Sequence, residues 1–458
     1  MKTFDAIIIG AGQAGPALAG RLTQAGMSVA FAERKLFGGT CVNTGCTPTK
    51  AMVASAYAAH TARRAAEYGV VLNGPVSVDM KAVIARREAI VAKSRNGVEA
   101  SLRNNPRCTV FTGTASFESS HTVRVGNDLL EAKQIFLNVG GRAVVPNLPG
   151  VTDVPFLTNT SLLALDTLPA HLIVVGGSYI GIEFGQMYRR FGSEVTIVEK
   201  GPRLTQHEDE DVSATVLDIL EAEGIHVRLN AECIHLARHA DGVSVGIDCK
   251  FGDPESIGSH VLLAVGRTPN TNDLGLDRAG VSVDERGYII VDDQLRTNVD
   301  SIYAMGDCNG KGAFTHTAYN DFEIVAANLL DHDPRRVSDR IPCYTMYMDP
   351  PLARIGMNER EVRATGRPAL ISTRPMARVN RAVEKGESQG FMKVLVDAES
   401  KKILGASLLG VGCDEAIHSL LDIMYAGAPY TTVQRAVHIH PTVSELLPTL
   451  LGDLKPLA

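Results

Sequence analysis

An α/β fold with two Rossmann-like units and a separate C-terminal α+β region is predicted by three observations. First, the apolar run Ile7-Ile8-Ile9 breaks into Gly10-Ala11-Gly12-Gln13-Ala14-Gly15, and Ile173-Val174-Val175 breaks into Gly176-Gly177-Ser178-Tyr179-Ile180-Gly181. Second, each turn leads into a helical pattern, another apolar strand and a glutamate, Glu33 or Glu199, at the same spacing from the first glycine. Third, beyond Ile341-Pro342 the pattern becomes mixed strands and helices. A chain of 458 residues with 45% hydrophobic and 21% charged content is long enough for two to four domains.

In the first copy the pattern predicts a helix over 16–25 and a strand over 28–32. In the second it predicts a helix over 182–191 and a strand over 194–198. Small residues let a backbone approach a pyrophosphate at a helix N-terminus, and a carboxylate ending the next strand accepts hydrogen bonds from a ribose. Gly10, Gly12, Gly15 and Glu33 thus form one dinucleotide cradle, and Gly176, Ser178, Gly181 and Glu199 a second. The second departs from the pattern, because Ser178 replaces the middle glycine and would either crowd a pyrophosphate or donate a hydroxyl to it.

Between the first cradle and a predicted helix over 51–67 lies Gly38-Gly39-Thr40-Cys41-Val42-Asn43-Thr44-Gly45-Cys46-Thr47-Pro48-Thr49-Lys50. Within a regular helix this spacing would leave the two sulfurs about 140° apart around the axis, too far to bridge. Gly45 and Pro48 break that regularity, so the pair can close at a helix start, where thiolate is favoured. Two structural cysteines and a zinc site are the alternatives; no second cysteine pair with ligand spacing supports zinc, and no metal is expected. Another predicted helix covers 81–103.

At the other end, Val437-His438-Ile439-His440-Pro441-Thr442-Val443-Ser444-Glu445 places Pro441 where the first turn of a helix would suit it. His440 then stands at the threshold, and Glu445, one turn inside, can orient its imidazole for proton transfer.

With these motifs the chain resembles, over essentially its whole length, the pyridine-nucleotide disulfide oxidoreductase family of flavoproteins, including dihydrolipoamide dehydrogenase, glutathione reductase and mercuric reductase. The resemblance rests on the first cradle through Glu33, the Gly39-Thr40-Cys41 to Cys46 segment and the second cradle. Gly266-Arg267-Thr268-Pro269-Asn270 and the run from Thr297 through Tyr303-Ala304-Met305-Gly306-Asp307 extend it. It implies that the first cradle holds the ADP half of FAD, that Asp307 bonds the ribityl and pyrophosphate region, and that the second cradle holds NAD(P)H. It further implies that Tyr179 covers the flavin until nicotinamide displaces it and that Lys50 pairs with Glu183 near flavin N5. Cys41–Cys46 would be the redox-active disulfide, with Cys46 beside the flavin and Cys41 facing the substrate. The His-Pro-Thr-x-x-Glu motif would supply the base, His440 with Glu445, to the other subunit of a homodimer. The implied domains are FAD-binding (1–147 and 271–339), NAD(P)H-binding (148–270) and dimerisation (340–458).

Glu199 favours NADH, since its carboxylate would repel a 2′-phosphate; Lys200 and Arg203 are near enough in sequence to soften that and leave NADPH open. The Cys41 to Lys50 wording and Gly312-Ala313-Phe314-Thr315-His316-Thr317 look closest to the mercuric-reductase-like branch. Mercuric reductases, however, carry a C-terminal cysteine pair, whereas no cysteine follows Cys413 here. Many also carry an amino-terminal metal-binding domain, whereas this chain starts at once with its first strand, and they lack the His440/Glu445 type of base. A disulfide or thiol-linked oxidant is therefore the expected acceptor, with Hg(II) or Cu(II) reduction as the alternative and a low-turnover redox-sensing flavoprotein as the alternative of another class.

The net charge of −6 lacks the basic stripe that tracks nucleic acid. No run approaches a membrane-spanning length, and the first strand follows Met1 too closely for a signal peptide. Eight cysteines, mostly single, fit a reducing compartment, so a cytoplasmic enzyme is expected. Cys308, beside Asp307, reads as a small packing residue.

Overall fold

The computed structural model describes residues 1–232, 234–247 and 255–457. Its first sheet has seven strands, ordered Cys108–Thr112, Val29–Glu33, Lys2–Ile9, Asp128–Leu137, Thr122–Val125, Ala115–Phe117. The seventh, Ile302–Ala304, returns from far along the chain to pair in parallel with Asp128–Leu137. Within Lys2–Ile9, the stretch Ala6-Ile7-Ile8-Ile9 has a parallel partner on each edge and is buried throughout, which is why it reads as a continuous apolar run rather than an alternating one. Ile7, Ile8, Leu18, Phe31, Ile135, Phe136 and Ile302 fill this core with no exposed surface.

A second sheet of four parallel strands, His226–Arg228, Glu194–Val198, His171–Val175 and His260–Leu263, repeats the plan. Ile9 pairs with Ala32 immediately before Gly10, and Val175 pairs with Val198 immediately before Gly176, so each glycine turn leaves its sheet at the same register. The two chain crossings between the units, Gly141–Ala143 and Arg267–Pro269, form an antiparallel ribbon. A six-stranded antiparallel sheet, starting with Cys343–Met346 and Leu352–Gly356, makes the C-terminal region.

The helices begin earlier than the sequence pattern predicts. They span Ala14–Gln24 rather than 16–25, Tyr179–Phe191 rather than 182–191, and Cys46–Arg63 with a 3₁₀ turn at Ala65–Tyr68 rather than 51–67. Pro16 and Pro48 lie in first turns, where an amide has no intrahelical partner to lose, so proline does not delay the start. The helix Met80–Arg103 begins where the Asp79 carboxylate accepts from the amides of Lys81 and Ala82. The strand expected over 28–32 runs Val29–Glu33, while Glu194–Val198 matches its expected bounds. No helix among the described residues is long and apolar enough to cross a membrane.

Candidate active site

The first cradle is closed by Asn138, the residue that follows the strand Asp128–Leu137. A Cβ on Gly10 would sit 2.3 Å from the Asn138 carbonyl oxygen, one on Gly12 would sit 2.5 Å from Asn138 Oδ1, and one on Gly15 would sit 2.4 Å from the Gly10 oxygen. Asn138 Oδ1 accepts from Gly15 N at 3.0 Å, and Asn138 Nδ2 donates to the Met305 oxygen at 2.9 Å, tying the turn to the Gly306-Asp307 segment. Sequence reasoning misses Asn138, a polar residue that ends an apolar strand and whose role shows only in the structure, where it is buried at 4% exposure. Gly39 lies against Gly12, with a Cβ there falling 2.9 Å from Gly12 Cα, so the wall at Gly39 and Thr40 is also backbone. Glu33 accepts from Ala11 N at 2.8 Å through one oxygen and from Lys35 N at 2.7 Å through the other, leaving lone pairs for a ribose. Asp307 lies 3.5 Å from Arg267 Nε, and Arg267 Nη2 donates to Gly141 O at 2.6 Å. Burial raises the Asp307 carboxyl against the lowering effect of Arg267. A side chain at Gly266 would be strained by its φ of +123°. This backbone-lined groove, which added Cβ atoms would fill, fits the pyrophosphate and ribose of a dinucleotide.

The second cradle repeats the geometry with one change. A Cβ on Gly176 would lie 2.5 Å from the Ala264 oxygen and one on Gly181 would lie 1.9 Å from the Gly176 oxygen. Ala264 thus stands where Asn138 stands in the first unit. It has no side-chain amide to collide with the middle position, and this is why Ser178, at φ −115°, is accommodated there. Glu199 Oε2 accepts from Gly177 N at 2.7 Å, and Oε1 accepts from Gly201 N at 2.8 Å and Gln206 Nε2 at 3.1 Å. Arg203 is turned away, onto Glu210 at 3.1 Å.

Cys41 lies in the short helix Gly39–Asn43, and Cys46 is the first residue of the helix Cys46–Arg63. The break falls at Thr44 and Gly45, where a Cβ on Gly45 would meet the Thr40 oxygen at 2.9 Å. The expected Cys41–Cys46 disulfide is open in this structure: both residues are free thiols. The Thr315 hydroxyl stands between them, 3.0 Å from Cys41 Sγ and 3.2 Å from Cys46 Sγ. Thr315 is a second residue that sequence reasoning misses as a functional group, although its segment is singled out there. Cys46 is pulled down to about 6, chiefly by the hydrogen bond from Cys41, with Thr315 and the Lys50 charge acting in the same direction against burial. Cys41 moves the other way, raised by its hydrogen bond to Cys46 and by burial. Lys50 Nζ lies 2.7 Å from Glu183 Oε2, and Glu183 Oε1 accepts from Tyr347 N at 2.8 Å. Tyr179 opens its helix close by, edge-on to Phe314 and Tyr344.

At the C-terminus, Glu445 Oε2 lies 2.9 Å from His440 Nδ1, leaving Nε2 free to exchange a proton. The helix does not start at Pro441. The His440–Pro441 peptide is cis, and a 3₁₀ turn begins at Ser444, opened by Thr442, whose hydroxyl donates to Ile439 O at 2.7 Å and accepts from Glu445 N at 3.2 Å. His440 is brought to Glu445 but to neither cysteine of its own chain, and its side chain is 69% exposed beside the fully exposed Val437.

Residues 4–321 match the pyridine nucleotide-disulphide oxidoreductase family, and residues 342–451 match the dimerisation domain of the same name. A probable pyridine nucleotide-disulfide oxidoreductase of Escherichia coli, RclA, is 37% identical over 99% of this chain and 100% of its own. A mercuric reductase of Streptomyces lividans is 31% identical over 97% of this chain and 94% of its own. The solved structure described as the Cu(II) complex of the HOCl-induced flavoprotein disulfide reductase RclA from Escherichia coli superposes with a TM-score of 0.90 at 36% identity, covering 99% of each chain. Two glycine cradles, a cysteine pair sharing one hydroxyl and these full-length likenesses lead to one assignment: the chain belongs to the pyridine nucleotide-disulphide oxidoreductases, FAD- and NAD(P)H-dependent flavoenzymes that carry a dimerisation domain.

Proposed function

We propose that this enzyme draws electrons from NAD(P)H, preferring NADH, and delivers them through Cys41 and Cys46 to a disulfide or thiol-linked oxidant in the cytoplasm. The observation that carries this reading is the geometry of the cysteine pair: both sulfurs lie on the shared Thr315 hydroxyl, at 3.0 and 3.2 Å, with Cys46 opening the helix that carries Lys50, whose charge lowers the Cys46 thiol.

Glu33 and Asp307 would hold a flavin in the first cradle, and when bound it would supply two-electron transfer between nicotinamide and the cysteine pair. Two electrons and one proton open the Cys41–Cys46 bond, leaving Cys46 as thiolate and Cys41 as thiol. Lys50 offsets the Cys46 charge. Cys41 gives its proton to His440 of the partner subunit and attacks one sulfur of the acceptor, expelling the other as thiolate, which takes that proton back. Cys46 then attacks Cys41 Sγ, closing the disulfide and releasing the second acceptor sulfur as thiolate, which takes one proton from solvent. Each acceptor disulfide thus becomes two thiols for one NAD(P)H and one proton. Glu445 keeps Nε2 of His440 available, and the exposure of His440 in a single chain is what a base serving the partner requires. The domain boundaries given above are proposed for this division of labour.

Glu199, held by three donors, and Arg203, occupied by Glu210, support NADH over NADPH. The related structure bearing Cu(II) favours a second reading, reduction of a metal ion at the same cysteines. The test is NADH and NADPH oxidation with lipoamide, glutathione disulfide, hypothiocyanous acid, Hg(II) and Cu(II), in wild type, Cys46→Ser and His440→Ala. Disulfide or thiol-oxidant turnover lost in both variants is the expected result. Metal turnover indifferent to His440 would replace it with the metal reading, and no turnover of any acceptor would favour a redox sensor.

A further inference from the structure

Tyr179 is half-buried at the head of the helix Tyr179–Phe191 and touches two other aromatic rings. Its ring centroid is 5.4 Å from that of Tyr344 at 69° and 6.0 Å from that of Phe314 at 70°, both edge-on. Phe314 is itself stacked on Tyr344, 5.6 Å away and 10° from parallel. Tyr344 belongs to the strand Cys343–Met346 of the C-terminal sheet, so the contact joins that sheet to the second Rossmann unit. It is also anchored: its hydroxyl donates to Glu208 Oε1, and the 3% exposed Glu208 takes Arg354 Nη1 at 3.0 Å on its other oxygen. A phenol donating to a buried, ion-paired carboxylate has little freedom to swing. The segment holding Glu208 is in turn fixed to the second cradle, since Thr205 N donates to Gly177 O at 2.9 Å and Gln206 to Glu199.

We propose that Tyr344, pinned by Glu208, is a positioning residue that holds the Tyr179 ring in place and thereby sets how readily nicotinamide displaces it. This rests on the reading that Tyr179 covers the flavin on the nicotinamide side. Edge-to-face contacts favour the covered state, and a nucleotide that must break them binds more weakly by that amount. Loosening the anchor therefore tightens nucleotide binding without touching the cysteines.

The experiment measures NAD⁺ binding to the oxidised holoenzyme by calorimetry, together with KM and kcat for NADH, in Tyr344→Phe, Tyr344→Leu, Tyr179→Ala and Tyr179→Ala/Tyr344→Phe. Tyr344→Phe keeps the ring and removes only the hydroxyl, so it stands even where the leucine variant does not fold. The expected result is a dissociation constant and KM lowered about fivefold by Tyr344→Phe, and further by Tyr344→Leu, with kcat within about twofold of wild type. Tyr179→Ala should show the same tightening, and the double variant nothing beyond it. Tightening in Tyr179→Ala alone would overturn the role of Tyr344 and leave the covering ring intact. No tightening in either would overturn both, and an effect of Tyr344→Phe that persists in the Tyr179→Ala background would show that Tyr344 acts by another route.

Discussion

The Thr315 hydroxyl serves the sulfurs of both Cys41 and Cys46, and its hydrogen can turn to whichever carries the charge. Thr315→Val keeps the shape and removes that donor. A hydrogen bond to a charged group contributes about 1.5 kcal/mol or more, so the Cys46 thiol should rise by about one pH unit, and Thr315→Ser should restore it. Iodoacetamide labelling of Cys46 in the reduced enzyme, followed against pH, reads this directly. Because folding lowers this thiol from its ordinary value to about 6, wild type should label fully above that pH and lose reactivity as acid protonates the thiolate through it. A valine variant with an unshifted profile would remove Thr315 from the account.

At the scale of elements, the two βαβ units differ chiefly in what stands opposite the middle position of the glycine turn, Asn138 in one and Ala264 in the other. Ala264→Asn should crowd Ser178 and weaken NADH binding, by about 1–3 kcal/mol if the overpacking is fully felt, while Ala264→Asn/Ser178→Gly should recover most of it. Titration calorimetry with NAD⁺ measures both, and equal affinity in all three proteins would refute the equivalence. The same comparison shows what the sequence conveys. Gly10, Gly176, Glu33 and Glu199 are legible because local backbone geometry demands them at fixed spacing. Asn138, Ala264 and Thr315 are not, because each acts on a residue far along the chain and only tertiary packing pairs them. Pro441 misleads for a local reason: proline suits a helix start, but the helical turn begins only at Ser444, where the Thr442 hydroxyl accepts from Glu445 N.

Across the whole molecule, the C-terminal sheet grips the second Rossmann unit through buried charge. Lys393, with a side chain only 1% exposed, lies 2.7 Å from Asp209 and 2.7 Å from Asp211. Lys393→Met would leave Asp209 buried without its counter-charge and should destabilise the fold by about 3 kcal/mol in urea unfolding; a loss below about 1 kcal/mol would show that solvent reaches the cluster. This docking and the aromatic contact at Tyr344 bring the C-terminal sheet against the unit that carries Tyr179. Whether NADH opens a Cys41–Cys46 disulfide is read by thiol counting with mass spectrometry after anaerobic addition of one equivalent of NADH to the oxidised holoenzyme. Two newly alkylated thiols per chain are expected, at Cys41 and Cys46 and nowhere else. Oxidation of NADH with acceptor turnover but no new thiol at either position would contradict the opening of that disulfide.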